Sequence, residues 1–363
     1  MKIGVLGAGQ LGRMLALAGY PMGLTFDFYD EKEMAPASVL APQTVAAFTD
    51  EAMLAKWAES VDVITYEFEN VPLSAVRFLE GIKPVMPNST ILEIAQDRLF
   101  EKNYFKKLGI TTPRFAAVNS EADLMAAVKD LRFPCVLKTR RFGYDGKGQF
   151  VLKAVEDIET IKEVKESFEN MILEEFIPYT RELSLIAVRS KKGEKAFYPL
   201  VENHHRDGIL RVTLAPALQV SLEEQKRSHE YLNHILDATD YVGVLSVEFF
   251  EKKGILIANE MAPRVHNSGH WTIDGAKTSQ FENHLRAILG WPLGSTEAKG
   301  CSAMINIIGR YPKEEDVLAI PEAHWHHYNK TEMKGRKLGH VTITAEKLED
   351  LSARLTRFKQ VLG

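Results

Sequence analysis

Residues 2–6, Lys-Ile-Gly-Val-Leu, make a short apolar run, and a second runs from Leu24 to Tyr29 and ends on Asp30. Apolar runs of this length between turn signals predict buried strands. The stretch Arg13 to Gly19 between them predicts a helix. Val61-Asp62-Val63-Ile64-Thr65 predicts a third strand, with Tyr66-Glu67-Phe68-Glu69-Asn70-Val71-Pro72 at its carboxyl end. Strands and helices in alternation predict an α/β unit with a parallel sheet.

The pattern changes further along. Asp97-Arg98-Leu99-Phe100-Glu101-Lys102 opens a helix predicted to reach Lys107, and a second helix is predicted near 121–131. Phe133 to Lys138 reads as a strand, Gly143 to Gln149 as a glycine-rich turn, and Phe150-Val151-Leu152 as the returning strand. Asn170 to Ile177 and the segment starting at Arg181-Glu182 predict two more strands. Val242 to Phe250, the turn Glu251-Lys252-Lys253-Gly254, and Ile255 to Glu260 predict a long hairpin. These hairpins make the C-terminal part α+β.

A chain of 363 residues exceeds one core, and three parts are expected: 1–97, 98–180 and 181–363. The net charge of −4 gives no general attraction to nucleic acid or anionic membranes, so a phosphate site must be made by local groups. No apolar run approaches the ~20 residues of a membrane helix, and no signal peptide precedes the first strand. Cys135 and Cys301 lie in apolar stretches and are expected to be reduced core thiols, which suits the cytoplasm.

Gly7-Ala8-Gly9-Gln10-Leu11-Gly12, followed by a helix and by Asp30, matches a dinucleotide-binding fingerprint. This pattern supports an NAD(P)-dependent oxidoreductase as an alternative. The underlying physics is generic, because glycines permit a tight turn and a helix N-terminus attracts any phosphate. A substrate monophosphate would serve equally well. Glu69 and Gln10 are expected to face one crevice at the carboxyl ends of the strands.

A second and fuller nucleotide site is suggested downstream. Lys147 precedes Gly148 and a strand, so the glycine turn is no Walker A loop. It suits a lid whose amides close over phosphates, above the fixed charge of Lys138. Glu174 is placed to accept from an adenine amine, and Glu182 to hold ribose hydroxyls. The hairpin is expected to put Glu248 and Glu260 diagonally on one face, with backbones about 7–8 Å apart. Two carboxylates among apolar neighbours repel unless a cation bridges them, and magnesium suits hard oxygen ligands completed by phosphates. The loop from Met261 to Trp271 gathers Arg264, His266, Asn267, Ser268 and His270 beside that pair. Arg264 is suited to fork onto a carboxylate or bicarbonate.

In this order, Lys138, the glycine lid, Glu174-Glu175-Phe176-Ile177, Glu248 and Asn259-Glu260 resemble the ATP-grasp superfamily. Gly9-Gln10-Leu11-Gly12-Arg13-Met14, Gly143-Tyr144-Asp145-Gly146-Lys147-Gly148, Ala262-Pro263-Arg264-Val265-His266-Asn267-Ser268-Gly269-His270-Trp271 and Gly335-Arg336-Lys337-Leu338-Gly339-His340 resemble one of its families, the N5-carboxyaminoimidazole ribonucleotide synthetases. The resemblance runs from near residue 2 to about 345. It implies a Rossmann-like pre-ATP-grasp domain, a small lid domain and a C-terminal grasp domain, usually assembled as a homodimer. It implies the ATP- and bicarbonate-dependent carboxylation of 5-aminoimidazole ribonucleotide in purine biosynthesis, through carboxyphosphate. A formate-dependent glycinamide ribonucleotide transformylase is the neighbouring alternative.

By matching motifs, the resemblance implies that Arg98, Lys138, Gly143 to Gln149, Glu174 to Ile177, Glu182, His205 and Asn259 hold ATP. His204 beside His205 is the other candidate. Glu248 and Glu260 are implied to hold two magnesium ions. Arg264, His266, Asn267, Ser268 and His270 are implied to hold bicarbonate and the aminoimidazole. Gln10, Leu11, Glu69, Tyr144, Lys330, Arg336 and Lys337 are implied to surround the ribonucleotide. Many superfamily members carry asparagine where this chain has Ala262, so phosphate and water, or Asn267, would complete the metal shell.

Overall fold

The computed structural model describes residues 1–143, 148–164 and 167–362. Strands β1 (Lys2–Leu6), β2 (Thr25–Asp30), β3 (Gln43–Val45) and β4 (Val63–Tyr66) form a parallel sheet in the order β3-β2-β1-β4. Strands β1, β2 and β4 are short and largely buried, as expected of strands covered on both faces, while the edge strand β3, Gln-Thr-Val, is not. Helix Gln10–Gly19 packs Leu11, Met14 and Leu15 into a core shared with Phe281 and Leu285 of helix Gln280–Leu289. The N-terminal sheet is thereby joined to the rest of the chain through a continuous apolar layer.

A second sheet contains β5 (Phe115–Val118), β6 (Cys135–Thr139), β7 (Gln149–Leu152) and β8 (Met171–Glu175), all antiparallel, in the order β5-β8-β6-β7. Lys138 pairs with Gln149, so β6 and β7 form a hairpin on either side of the glycine-rich segment. Cys135 is buried here, while Cys301 is half-buried, less enclosed than a core thiol; both are free.

The third sheet has nine strands: β9 (Arg181–Arg189), β10 (Lys195–Phe197), β11 (Val201–Arg206), β12 (Ile209–Ala215), β13 (Gly243–Lys252), β14 (Ile255–Ala262), β15 (Cys301–Ile308), β16 (Ala323–His327) and β17 (Lys337–Ala345). Its order is β14-β13-β9-β11-β12-β15-β17-β16, with β10 added on β9, and every pairing is antiparallel. A parallel α/β unit thus precedes an α+β body, as the hydrophobic pattern predicts.

The β13–β14 hairpin departs from the expected register. Lys252 pairs with Ile255 and Phe249 with Ala258, but Glu248 pairs with Glu260, leaving Asn259 as an extra residue. This β-bulge puts the two glutamates directly opposite each other, not on a diagonal. A bulge shifts the side-chain alternation by one and re-aims the residues beyond it. A second bulge leaves Arg211 of β12 as an extra residue, between the His204–Val212 and His205–Leu210 pairs, while the alternation of β11 puts His205 on the inner face with Val201 and Asn203. His205 turns inward to Glu182, with Nδ1 and Oε2 2.9 Å apart, while His204 is half exposed.

Candidate active site

The three sheets surround one cleft of about 730 Å³, within the range of small-molecule sites. Arg98, Lys138, Gly143, Gln149, Glu174 to Ile177, Glu182, His205, Glu248, Asn259 and Glu260 line it, as do Gln10, Leu11, Glu69, Arg264, His266, Asn267, His270 and Lys337. Residues widely separated in sequence, from Gln10 to Lys337, therefore share one space.

At one end, β6 and β8 present Lys138 and Glu174 as neighbours, with Lys138 Nζ donating to Glu174 Oε2 at 2.8 Å. Burial pushes the Glu174 pKa up, but the charges of Lys102 and Lys138 outweigh it and hold it down at about 2. The carboxylate is ionised at any physiological pH. Its Oε1 is buried without a hydrogen-bond partner. Such an atom is costly unless a ligand donor reaches it, and an exocyclic amine would satisfy it. Tyr179 and Phe250, stacked at 4.7 Å, add a flat apolar wall to the cleft.

In the middle stand Glu248 and Glu260, with Arg98 Nη1 donating to Glu260 Oε2 at 3.3 Å. Burial and then the Glu260 charge push the Glu248 pKa up. For His205, burial pulls the pKa down, but the hydrogen bond to Glu182 and the charges of Glu248, Glu182 and Glu260 raise it overall. The pocket is thus over-supplied with negative charge, which suits a hard divalent cation. Among the described residues, no three His, Cys, Asp or Glu side chains converge in a metal-binding group. A cation here would need ligand phosphates or water to complete its shell.

At the other end, the loop after β14 carries the densest polar chemistry. Arg264 Nε donates to Glu69 Oε2, and Nη1 donates to Val265 O at 3.1 Å. Burial alone would lower the Arg264 pKa and raise that of Glu69; their mutual attraction reverses both. His266 accepts at Nδ1 from the Ser268 amide at 3.3 Å and lies 2.8 Å from Ser268 Oγ. Its proton therefore sits on Nε2, which faces Glu248 Oε1 at 3.4 Å. Burial, then Arg264 and Lys337, lower the His266 pKa well below normal, so the ring is neutral. His270 is neutral for the same leading reason. Both Asn267 amide atoms are buried and unpartnered while the residue lines the cleft.

The glycine fingerprint is already occupied. Glu67 accepts at Oε1 from Gly9 N and at Oε2 from Gly12 N at 2.7 Å, filling the helix N-terminus where a pyrophosphate would lie. Asp30, the expected ribose acid, instead accepts from Ala8 N at 2.8 Å. A Cβ on Gly9 would lie 2.3 Å from Glu67 Oε1, so the glycine is required by the carboxylate's approach. The dinucleotide reading fails on this geometry.

Residues 1–96 match the ribonucleotide synthetase pre-ATP-grasp domain family, 103–281 the ATP-grasp domain, and 302–354 the phosphoribosylaminoimidazole carboxylase C-terminal domain. The N5-carboxyaminoimidazole ribonucleotide synthase of Pseudomonas aeruginosa is 50% identical over 362 residues, covering 100% of this chain and 99% of that one. The chain belongs to the N5-carboxyaminoimidazole ribonucleotide synthase family. The crystal structure of the Thermus thermophilus synthetase superposes with a TM-score of 0.95 at 50% identity, covering 99% of this chain and 98% of that one. An Aspergillus clavatus synthase, crystallised with ADP and 5-aminoimidazole ribonucleotide, matches with a TM-score of 0.91 at 30% identity, over 99% and 98% of the chains. As a member of this family, the chain is an ATP-grasp ligase.

Some site residues expected from the synthetase resemblance stand elsewhere. Ser268 is fully buried, stands outside the residues that line the cleft, and orients the His266 imidazole. Arg336 turns away to Thr331, donating to Oγ1 at 3.0 Å. Lys330 sits at the rim, its Nζ donating to Gln10 Oε1 at 2.6 Å. Tyr144, Asp145, Gly146 and Lys147 fall outside the described residues. Gly148 lies beside Thr139, in a left-handed conformation at φ +74° that favours glycine.

Other members of the site escaped sequence reasoning. Arg140 grips Asp97, the cap of helix Arg98–Lys107, through Nε at 3.0 Å and Nη2 at 2.6 Å. Arg141, behind the lining, holds the cleft residue Gln96 at 2.8 Å. The only signal in the sequence was the cationic run Lys138-Thr139-Arg140-Arg141 beside the glycine turn.

Proposed function

We propose that the chain carboxylates 5-aminoimidazole ribonucleotide at its exocyclic amine, using ATP and bicarbonate and releasing ADP and phosphate. The observation that carries this reading is the single cleft joining Lys138–Glu174, Glu248–Glu260 and the Arg264–His270 loop. ATP would lie from the Glu174 end toward the paired glutamates, under the glycine turn. Bicarbonate would lie against Arg264 and the unpartnered Asn267 amide. The ribonucleotide would lie toward Glu69, Gln10, Lys330 and Lys337.

Bicarbonate is a poor electrophile. An oxygen of bicarbonate attacks the γ-phosphorus, the bond to ADP breaks, and carboxyphosphate forms. The substrate amine then attacks the carboxyl carbon, directly or as released CO2, and phosphate leaves with the amine proton. Lys138 and Arg98 neutralise charge along the phosphates, and Arg264 does so on the carboxyl oxygens; positioning and charge account for most of the rate. Glu248 and Glu260 would hold two magnesium ions, which supply charge neutralisation on the transferring phosphoryl oxygens. No described helix is long and apolar enough to cross a membrane, and we assign the reaction to the cytoplasm. The division at 97 and 180 and a homodimeric assembly belong to the same proposal; sedimentation at the 40.9 kDa monomer mass would overturn the latter.

ADP release is the test. It is expected to require bicarbonate and to rise with 5-aminoimidazole ribonucleotide, and ADP release driven by formate with glycinamide ribonucleotide would instead point to a transformylase. A pH profile adds a second check. Burial, then Arg336, lowers the Lys330 pKa to about 8. Lys330 is therefore charged below that pH and loses its charge above it. kcat/KM for the ribonucleotide reports the free enzyme and should fall above about pH 8, while kcat stays level. Lys330→Arg should abolish that alkaline limb; an unchanged limb would remove Lys330 from the phosphate site.

A further inference from the structure

Strand β14 is an edge of the nine-stranded sheet, so the backbone groups on its outer side have no partner strand. They are held instead by helix Arg98–Lys107 and the segment after it. Ala258 N donates to Thr111 O at 2.7 Å, and Ala258 O accepts from Thr112 Oγ1 at 3.0 Å. Lys102 Nζ donates to Asn259 O and reaches Ala258 O at 3.4 Å. Glu101 Oε1 accepts from Met261 N at 2.7 Å. The last two contacts bracket the bulge that turns Glu260 toward Glu248, and Arg98, one turn earlier, contacts Glu260 itself.

We infer that Lys102, with Glu101 beside it, is a positioning residue that locks the Asn259 bulge and links the paired glutamates to the nucleotide-base end of the cleft. A bulge is a break in the ladder and persists where its loose carbonyls and amides are bonded. A neutral donor would satisfy a carbonyl at less cost than a lysine 1% exposed. The charge is explained by Glu174, whose Oε2 lies 3.8 Å from Lys102 Nζ and 2.8 Å from Lys138 Nζ. One carboxylate is thus shared by a cation facing the cleft and a cation holding the bulge. Neither Lys102 nor Glu101 needs to touch a phosphate to set where the metal carboxylates stand.

The inference rests on the metal and nucleotide roles proposed above, and the test separates the two. Mn2+ binding to the whole enzyme with ADP is followed by electron paramagnetic resonance. Lys102→Met should weaken Mn2+ binding about tenfold or more, the range for residues that orient metal ligands, and leave the KM for the ribonucleotide within about twofold. Glu101→Gln keeps an oxygen for Met261 N and should bind Mn2+ like the wild type, whereas Glu101→Leu should bind it about tenfold more weakly. A folded Lys102→Met enzyme with wild-type Mn2+ affinity overturns the inference. Should that variant not fold, equal affinities for the two Glu101 variants overturn it. Wild-type enzyme that binds no Mn2+ with ADP would defeat the metal reading itself.

Discussion

Glu260→Gln should lower kcat by about 10³-fold, the scale for removing a charged group that stabilises a phosphoryl transition state. The bulge at Asn259 places Glu260 opposite Glu248, and Arg98 engages only one of its oxygens. The second oxygen is left for a cation. Glutamine keeps the shape and still accepts from Arg98, so the KM for ATP should change little while the magnesium requirement rises. The same substitution removes half of a like-charge pair, the second-largest cause of the raised Glu248 pKa. Relief at Glu248 is offset by the lost charge partner of Arg98, so thermal unfolding without ligands should stay close to that of the wild type. Loss of activity together with retained stability marks a residue kept for function and not for folding. An enzyme with near-normal kcat and magnesium dependence would refute the assignment.

The elements that carry this pair were legible because their signals are local. Val242 to Phe250 and Ile255 to Glu260 are apolar runs around a short turn, and a charged residue inside such a run is conspicuous. The bulge was not legible, because one extra residue leaves the composition of β14 unchanged and only pairing reveals it. Glu67 stands in sequence only as one polar residue at a strand end, yet it binds the start of the helix at Gln10, 55 residues earlier for its Gly12 contact. Glycine spacing reports that something negative approaches closely, and a carboxylate from the protein meets that need as well as a phosphate. Lys102 reads as one charge among several on a polar helix; its partners at 258 and 259 are more than 150 residues away. β15 is an apolar run and β17 carries the end of the motif Gly335 to His340, but β16 between them gives little sign of itself. In β16, Ala-His-Trp-His-His lacks an apolar alternation, because the strand is an edge with its side chains only half-buried.

Arg264→Gln separates two jobs that one guanidinium performs. Its Nε and Nη1 face protein partners, Glu69 and Val265 O, yet the residue also lines the cleft beside the unpartnered Asn267 amide. Removing the charge strands the Glu69 carboxylate, whose pKa is held down chiefly by Arg264 against burial. Leaving one member of a buried pair costs about 3 kcal/mol, so the variant should unfold at a clearly lower temperature. It should also lose about 10³-fold in kcat, because the carboxyl oxygens lose a donor fixed in a dry site. The double variant Arg264→Gln/Glu69→Gln distinguishes the causes. With the stranded charge gone, stability should return most of the way, whereas turnover should not. Recovery of turnover along with stability would mean that Arg264 serves only to neutralise Glu69. Persistent loss of turnover in a stable double variant, with Glu69→Gln alone keeping most of its turnover, puts the guanidinium on the carboxyl group being transferred.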